Sequence, residues 1–533
     1  MKLWKKIIIV LLVLMPKDVL AQQQRTNGLS APVVREKIEP SNLSLFVLKK
    51  VYLHNSEVFT SQEVNEIVKD YLGKPVDLSD LLKIQELLSQ NYLKKGYFLS
   101  RVRLETQNID VDKGVAYYSA LEESVDLQIQ SHGLRRSYIS ARIKRFLHPP
   151  LSQKNLYEAI NLLRQNPLIE DLKVDLWQTE GNKSILSLDI KAAPQWNLSS
   201  EANTDENDDV GASGILVSLL NRNLAGGGES ILTEYKVTEG LERWLISLSI
   251  PVNSKEGRIE LAYQQANSQL INGFFEPFDI RNDSSIVSVG FSQPLILTPN
   301  STFELGLSIE QRESRSFVLD DILFSQAELS ALRFKQVYLK RSTQDALIGI
   351  SQLSLGWVNF NQGQENNSNF FHWQGQLQWE RNLNNANTKF YVRLASQMAS
   401  KSLPPFEGCA IGGRNGDRFS FGNNNRAYTT NGRIGDSCLA ATMELRFPVY
   451  VDDNGQLQLV LFGDLGYVWN LGAQQPLSPQ FLASTGVGFR YQLNDSLLVQ
   501  VNYAIPLSGV GTLTGDSLKR QEVSGSVRYG VKF

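Results

Sequence analysis

Cysteine and histidine are both scarce in this chain, with two of the first and four of the second in 533 residues. Two cysteines cannot build the framework of a disulfide-rich secreted domain. His54, His132, His148 and His372 fall on different elements at no metal-ligand spacing, so no histidine-based metal centre is expected. A charge excess is missing too: 53 Lys and Arg stand against 55 Asp and Glu, a formal net charge of −2. A nucleic-acid binder carries a basic excess to neutralise phosphates, and a disordered chain combines few aromatics with high net charge. At 9% aromatic and near neutrality this chain is neither, and no nucleic-acid partner is expected. No run of about 18 apolar residues occurs, which excludes a membrane-spanning helix. The longest such stretch, residues 7–15, is too short to cross a bilayer.

Catalytic sets are missing as well. His372 shares a segment with Ser368, but a hydrolase needs an assembled nucleophile, base and orienting group. Gly226-Gly227-Gly228-Glu229 lacks the Lys-Ser/Thr of a phosphate-binding loop and reads as a strand connection. No cofactor, no metal and no enzymatic activity are expected.

What is present begins with an address. Lys2, Lys5 and Lys6 precede the short apolar run, Pro16, Lys17 and Asp18 break it, and Val19-Leu20-Ala21 suits a signal peptidase. Residues 1–21 are therefore expected to be a secretory signal, whose removal takes the formal net charge from −2 to −5. Residues 22–43 are polar with two prolines and read as a linker.

Two modules of one pattern follow, at 44–124 and 125–193. Phe46, Leu48, Val51 and Leu53 suit a half-buried strand. Thr60-x-x-Glu63 is a capping box opening a helix on Val64, Ile67, Val68 and Leu72. A second helix is expected at 79–95, with Leu81, Ile84, Leu88 and Tyr92 on one face and Gly96 as its stop. Strands at 98–104 and 125–129 complete the unit. The order then repeats, with helices at 138–147 and 156–163 and strands on Leu172/Val174/Leu176 and Leu186/Leu188/Ile190.

After Pro194 the helical periodicity gives way to apolar residues at every second position. Trp244/Ile246/Leu248/Ile250, Phe371/Trp373/Gly375/Leu377/Trp379, Leu457/Leu459/Leu461 and Leu497/Val499/Val501/Tyr503/Ile505 are examples, with polar residues between them. Composition alone fits either a β-sandwich or a membrane barrel. The 340 residues from 194 to 533 hold about sixteen such segments, and about 21 residues per strand and connection suits transmembrane strands of roughly 9–11 residues. Val527, Tyr529, Val531 and the terminal Phe533 alternate up to an aromatic end, the pattern of an outer-membrane barrel and of the signal read by the barrel-assembly machinery. The expected architecture is a pair of α+β domains followed by an all-β, 16-stranded antiparallel transmembrane β-barrel facing outer-membrane lipid.

The wording of the first module, Phe46 to Lys50 (FVLKK), Phe59-Thr60, Tyr71 to Pro75 (YLGKP), Leu78, Tyr92, Lys95-Gly96-Tyr97 and Arg101, resembles POTRA domains of two-partner secretion outer-membrane transporters. These are the TpsB-type, hemolysin secretion/activation family. The second module resembles them through Pro150-Leu151-Ser152 and the stretch NLLRQNP at 161–167. The resemblance implies periplasmic POTRA 1 and POTRA 2 domains that bind an unfolded exoprotein and a barrel that passes it to the cell surface. An outer-membrane assembly factor and a passive porin are the alternatives.

It also implies a lumen loop. About forty residues rich in Gly, Asn and Arg separate the strands at 390–398 and 439–447, about the eleventh and twelfth. In this superfamily such a loop carries an Arg-Gly-aromatic motif whose Arg meets the Asp of Phe-x-Asp-x-Gly near the thirteenth strand. Phe462, Asp464 and Gly466 match the second motif. Arg426-Ala427-Tyr428 matches the first except that Ala427 replaces Gly, and Arg418-Phe419 is a competing alignment. Cys409 and Cys438 bracket the loop 29 positions apart, where facing strand ends come close. A disulfide there would stabilise by about 3–4 kcal/mol in the chain-entropy model; two unpaired thiols are the alternative.

Overall fold

The computed structural model describes residues 45–178, 184–273, 276–319, 321–362, 368–383, 388–413, 425–472, 480–508 and 522–533. The expected signal at 1–21, the linker at 22–43 and Arg418 lie outside the described residues. The chain divides into two units at Ala193 and Pro194.

In the first unit, module one runs β1 (Phe46–Val47), β2 (Lys50–His54), α1 (Ser61–Val68), β3 (Pro75–Val76), α2 (Leu78–Lys94), β4 (Arg101–Leu104) and β5 (Val115–Leu121). Its sheet has the order β2-β5-β4, with β2 parallel and β4 antiparallel to the central β5. Both helices start on reciprocal caps. Thr60 accepts from the Glu63 backbone while Glu63 accepts from that of Thr60, and Asp77 and Asp80 do the same. Leu81, Ile84, Leu88 and Tyr92 form the buried face of α2 and pack in one core with Val51, Val102, Ala116 and Tyr118.

One expectation fails here. The third strand of module one is β5, not residues 125–129, which open module two. The buried side chains of β5 are Ala116, Tyr118 and Ala120, too small or too amphipathic to give a strong apolar alternation. Residues 98–100 are not strand either: Phe98 and Leu99 pack against the core of the second module.

Module two repeats the order with β6 (Val125–His132), α3 (Arg136–Lys144), α4 (Gln153–Arg164), β7 (Ile169–Gln178) and β8 (Ser184–Ala192). Its sheet order β6-β8-β7, with β6 parallel to β8, is that of the first module. Ser152 caps α4 by accepting from the Asn155 amide at 3.1 Å. Ile139, Ile143, Leu156, Leu163, Leu186, Leu188 and Ile190 make the core.

In the second unit, sixteen strands among the described residues close into an antiparallel barrel, from Trp196–Asn203 to Val523–Lys532. The last strand pairs with the first, and Trp196 and Phe533 exchange backbone hydrogen bonds of 2.9 and 3.0 Å at the seam. Along the thirteenth strand (Gly455–Trp469), Leu461 and Leu465 are 44% and 47% exposed whereas Phe462 and Asp464 are 4% and 1%. Trp244, Ile246, Phe371, Leu377, Val501, Tyr503 and Ile505 likewise point outward. An apolar exterior around a polar interior is the inverse of a sandwich and fits a barrel solvated by lipid.

Candidate functional site in the barrel lumen

The chain between the eleventh strand (Lys389–Ala399) and the twelfth (Ser437–Val451) turns at Pro405–Glu407 and forms a small hairpin, Cys409–Ile411 against Arg433–Gly435. A disulfide joins Cys409 to Cys438 at the start of the twelfth strand, with Cα atoms 5.9 Å apart. Beyond the hairpin, Gly413 and Asn425 exchange backbone hydrogen bonds of 3.0 Å, which delivers Arg426 to the barrel wall.

Arg426 is buried there against Asp464. Its Nε donates to Asp464 Oδ2 at 3.0 Å, one terminal nitrogen donates to Oδ1 at 3.2 Å, and its backbone amide also reaches Oδ2 at 3.2 Å. The guanidinium lies 3.7 Å over the Phe462 ring. Thr442, Asp464 and the fourteenth strand's Ser484 are direct partners in register, so their side chains converge from three strands. Thr442 and Ser484 donate to the carboxylate at 2.9 and 3.4 Å. A bidentate, charge-assisted pair whose remaining lone pairs are satisfied is the arrangement in which a buried ion pair holds a fixed geometry.

The neighbouring residues of the motifs meet at this site as well. The Tyr428 hydroxyl donates to the Ala483 carbonyl at 3.0 Å and lies against that of Ser508. Ala427 shows no positive φ, so the glycine usual in the motif is not required by the backbone here, and its methyl is buried beside Cys409, Ile411 and Phe462. Gly466 is required by space. A Cβ there would stand 2.6 Å from Asn425 Nδ2 and 3.3 Å from Ile411, and one on Gly486 would stand 2.5 Å from the Phe462 ring. The loop thus sits in a hollow made by missing side chains.

Two groups of residues escape a linear reading. Glu444 takes a 2.7 Å hydrogen bond from Arg426 and an ion pair of 2.6 Å from Arg446. Its signal was available: it alternates with the outward Leu439 and Met443, which puts a carboxylate on the lumen face of the strand before the motif. His372 is buried with its Nε2 3.0 Å from Glu407. The two stand 35 positions apart and are joined only by the folding of the loop, so no spacing could have shown them.

The fold and this site define a transmembrane β-barrel whose lumen holds its own anchored loop and whose strands follow paired α+β modules. The chain belongs to the Omp85 superfamily: the model described as the Omp85 superfamily domain matches residues 223–517. A POTRA domain of ShlB type matches residues 46–115, in agreement with the resemblance carried by the first module. The outer membrane transporter CdiB of Escherichia coli is 21% identical over 224 residues, which cover 39% of this chain and 36% of that relative. The match thus spans little more than a third of the relative's length. Among solved structures, CdiB from Escherichia coli aligns over 97% of both chains with a TM-score of 0.66 at 14% identity. CdiB from Acinetobacter baumannii gives 0.63 at 16% identity, again over 97% of both. Both share the fold. The protein is an outer-membrane barrel of this superfamily that carries a POTRA region.

Proposed function

We propose that the chain is a two-partner secretion transporter and not an enzyme. Its POTRA modules, 44–124 and 125–193, capture an unfolded, β-rich exoprotein in the periplasm, and the barrel passes that client to the cell surface. An extended client segment can add to an open sheet edge, and β2, β4, β6 and β7 are such edges. With no nucleotide in the periplasm, the client supplies the driving free energy by folding outside, where return becomes unfavourable. The observation that carries the reading is a lumen occupied at rest by a loop that Arg426 holds on Asp464. A passive porin would need no POTRA modules.

Arg426→Ala and Asp464→Ala are expected to abolish export while the barrel still inserts. The measurement is client in the medium beside the heat-modifiable mobility of the folded barrel. Unchanged export in both variants overturns the reading. Loss of other outer-membrane proteins on deletion, with no client exported, would identify an assembly factor instead.

A further inference from the structure

The loop has a second buried contact with the wall, far along the chain from Arg426. The carboxylate of Glu407 takes two hydrogen bonds from Arg333 on the eighth strand (Ile322–Arg341), 2.8 Å to Oε1 and 3.1 Å to Oε2. His372 on the tenth strand (Ser368–Asn382) stands 3.0 Å from Oε2. The Glu407 backbone carbonyl accepts from Gln397 of the eleventh strand at 2.9 Å, and that of Phe406 accepts from Arg312 of the seventh (Ser301–Val318) at 3.0 Å. All of these side chains are buried except Arg312 and Phe406, which are half-buried.

The wall is built to receive a carboxylate. Arg333 is already positioned without the loop, since its Nε and one terminal nitrogen donate to Glu310 at 3.2 and 3.0 Å and its other terminal nitrogen donates to Ser354 at 3.1 Å. Arg312 lies 3.5 Å from the same Glu310. Two guanidiniums therefore share one wall carboxylate, and this part of the lumen keeps an uncompensated positive charge until Glu407 arrives. At Arg426 the signs are reversed, with the loop giving the cation and the wall the carboxylates. The two contacts use different strands, seven to eleven for Glu407 and twelve to fourteen for Arg426, and share no side chain.

We propose that Glu407 is a positioning residue that forms a second, independent latch of the lumen loop, and that both latches must release before the pore conducts. The proposal rests on the transporter reading and deepens it, because a passing polypeptide has to break both contacts. If the latches are independent their free energies add, and the effects of removing them multiply.

The test is the resting conductance of the full chain in planar lipid bilayers, compared among wild type, Glu407→Gln, Asp464→Asn and the double variant. Glu407→Gln keeps the shape of the side chain and leaves Arg333 paired with Glu310, so insertion is expected. Each single change should raise the conducting fraction roughly tenfold and the double variant by about the product of the two. A Glu407→Gln protein that inserts with wild-type conductance overturns the proposal. So does a double variant no more open than Asp464→Asn alone. Should Glu407→Gln fail to insert, Glu407→Asp keeps the charge but draws the carboxylate back from Arg333 and His372 by one methylene, and wild-type conductance there overturns it equally. A merely structural Glu407 would lower heat resistance and leave conductance unmoved. Failure of the transporter reading would appear separately, as absence of client export by the wild type.

Discussion

Glu63 shows how far one exposed side chain can be tied by local bonds. The hydrogen bond from Lys95 at 2.7 Å, and then the backbone and hydroxyl of Thr60, pull its carboxyl down to about 2. A carboxyl lowered on folding adds stability that is complete above its ordinary value near 4.5 and is lost as pH falls through about 2. Amide protection at the start of α1 should therefore drop between about pH 4.5 and 2, and Glu63→Gln should flatten that profile; hydrogen exchange across the window checks both. The Thr60-x-x-Glu63 pair was legible because a cap is a short-range device. Arg426 and Asp464 were legible only through their motifs, since nothing in a separation of 38 positions implies contact. Glu407 carried no motif and could not be read at all.

Among elements, α2 was the most legible, for its four buried residues repeat at helical spacing and its stops are strong. Leu81 is fully buried in that face, so Leu81→Ala should cost module one about 2–5 kcal/mol, read as lost amide protection over 45–121. Leu93, 60% exposed on the same helix, should change it by no more than about 0.5 kcal/mol when made Ala. The strand β5 escaped because a central strand covered by a helix can be lined with Ala and Tyr, and its identity as a strand then comes from pairing on both edges. Barrel strands were easier to find than to bound, since polar residues extend them well past the lipid-facing set, as in the long seventh to ninth strands.

For the molecule as a whole, alternation decided the fold, but which side faces outward follows from closure. Leu461 on the exterior should meet hydrocarbon, so Leu461→Arg is expected to destabilise the inserted barrel by about 2–4 kcal/mol if it lies near the midplane, whereas Leu461→Ala costs less. Denaturant titration in lipid vesicles separates the two. Sixteen strands could be counted from residues per repeat, whereas the joining of Trp196 to Phe533 depends on a contact between the two ends of the barrel domain.

The hollow beneath the loop has a meaning of its own once the loop is imagined elsewhere. Ala440, Gly466, Gly486 and Ala504 would then open a stretch of wall with little relief, from which Glu444, Phe462 and Asp464 stand out. Its backbone amides and carbonyls are spent in the strand ladders, so the groups it would offer a sliding chain are the side chains of Glu444, Asp464, Thr442 and Ser484. Such a surface has its fixed charge gathered at two carboxylates and reads little else of a passing sequence. Selectivity would then fall to whatever meets the client before the lumen, and passage to the pull of folding beyond it.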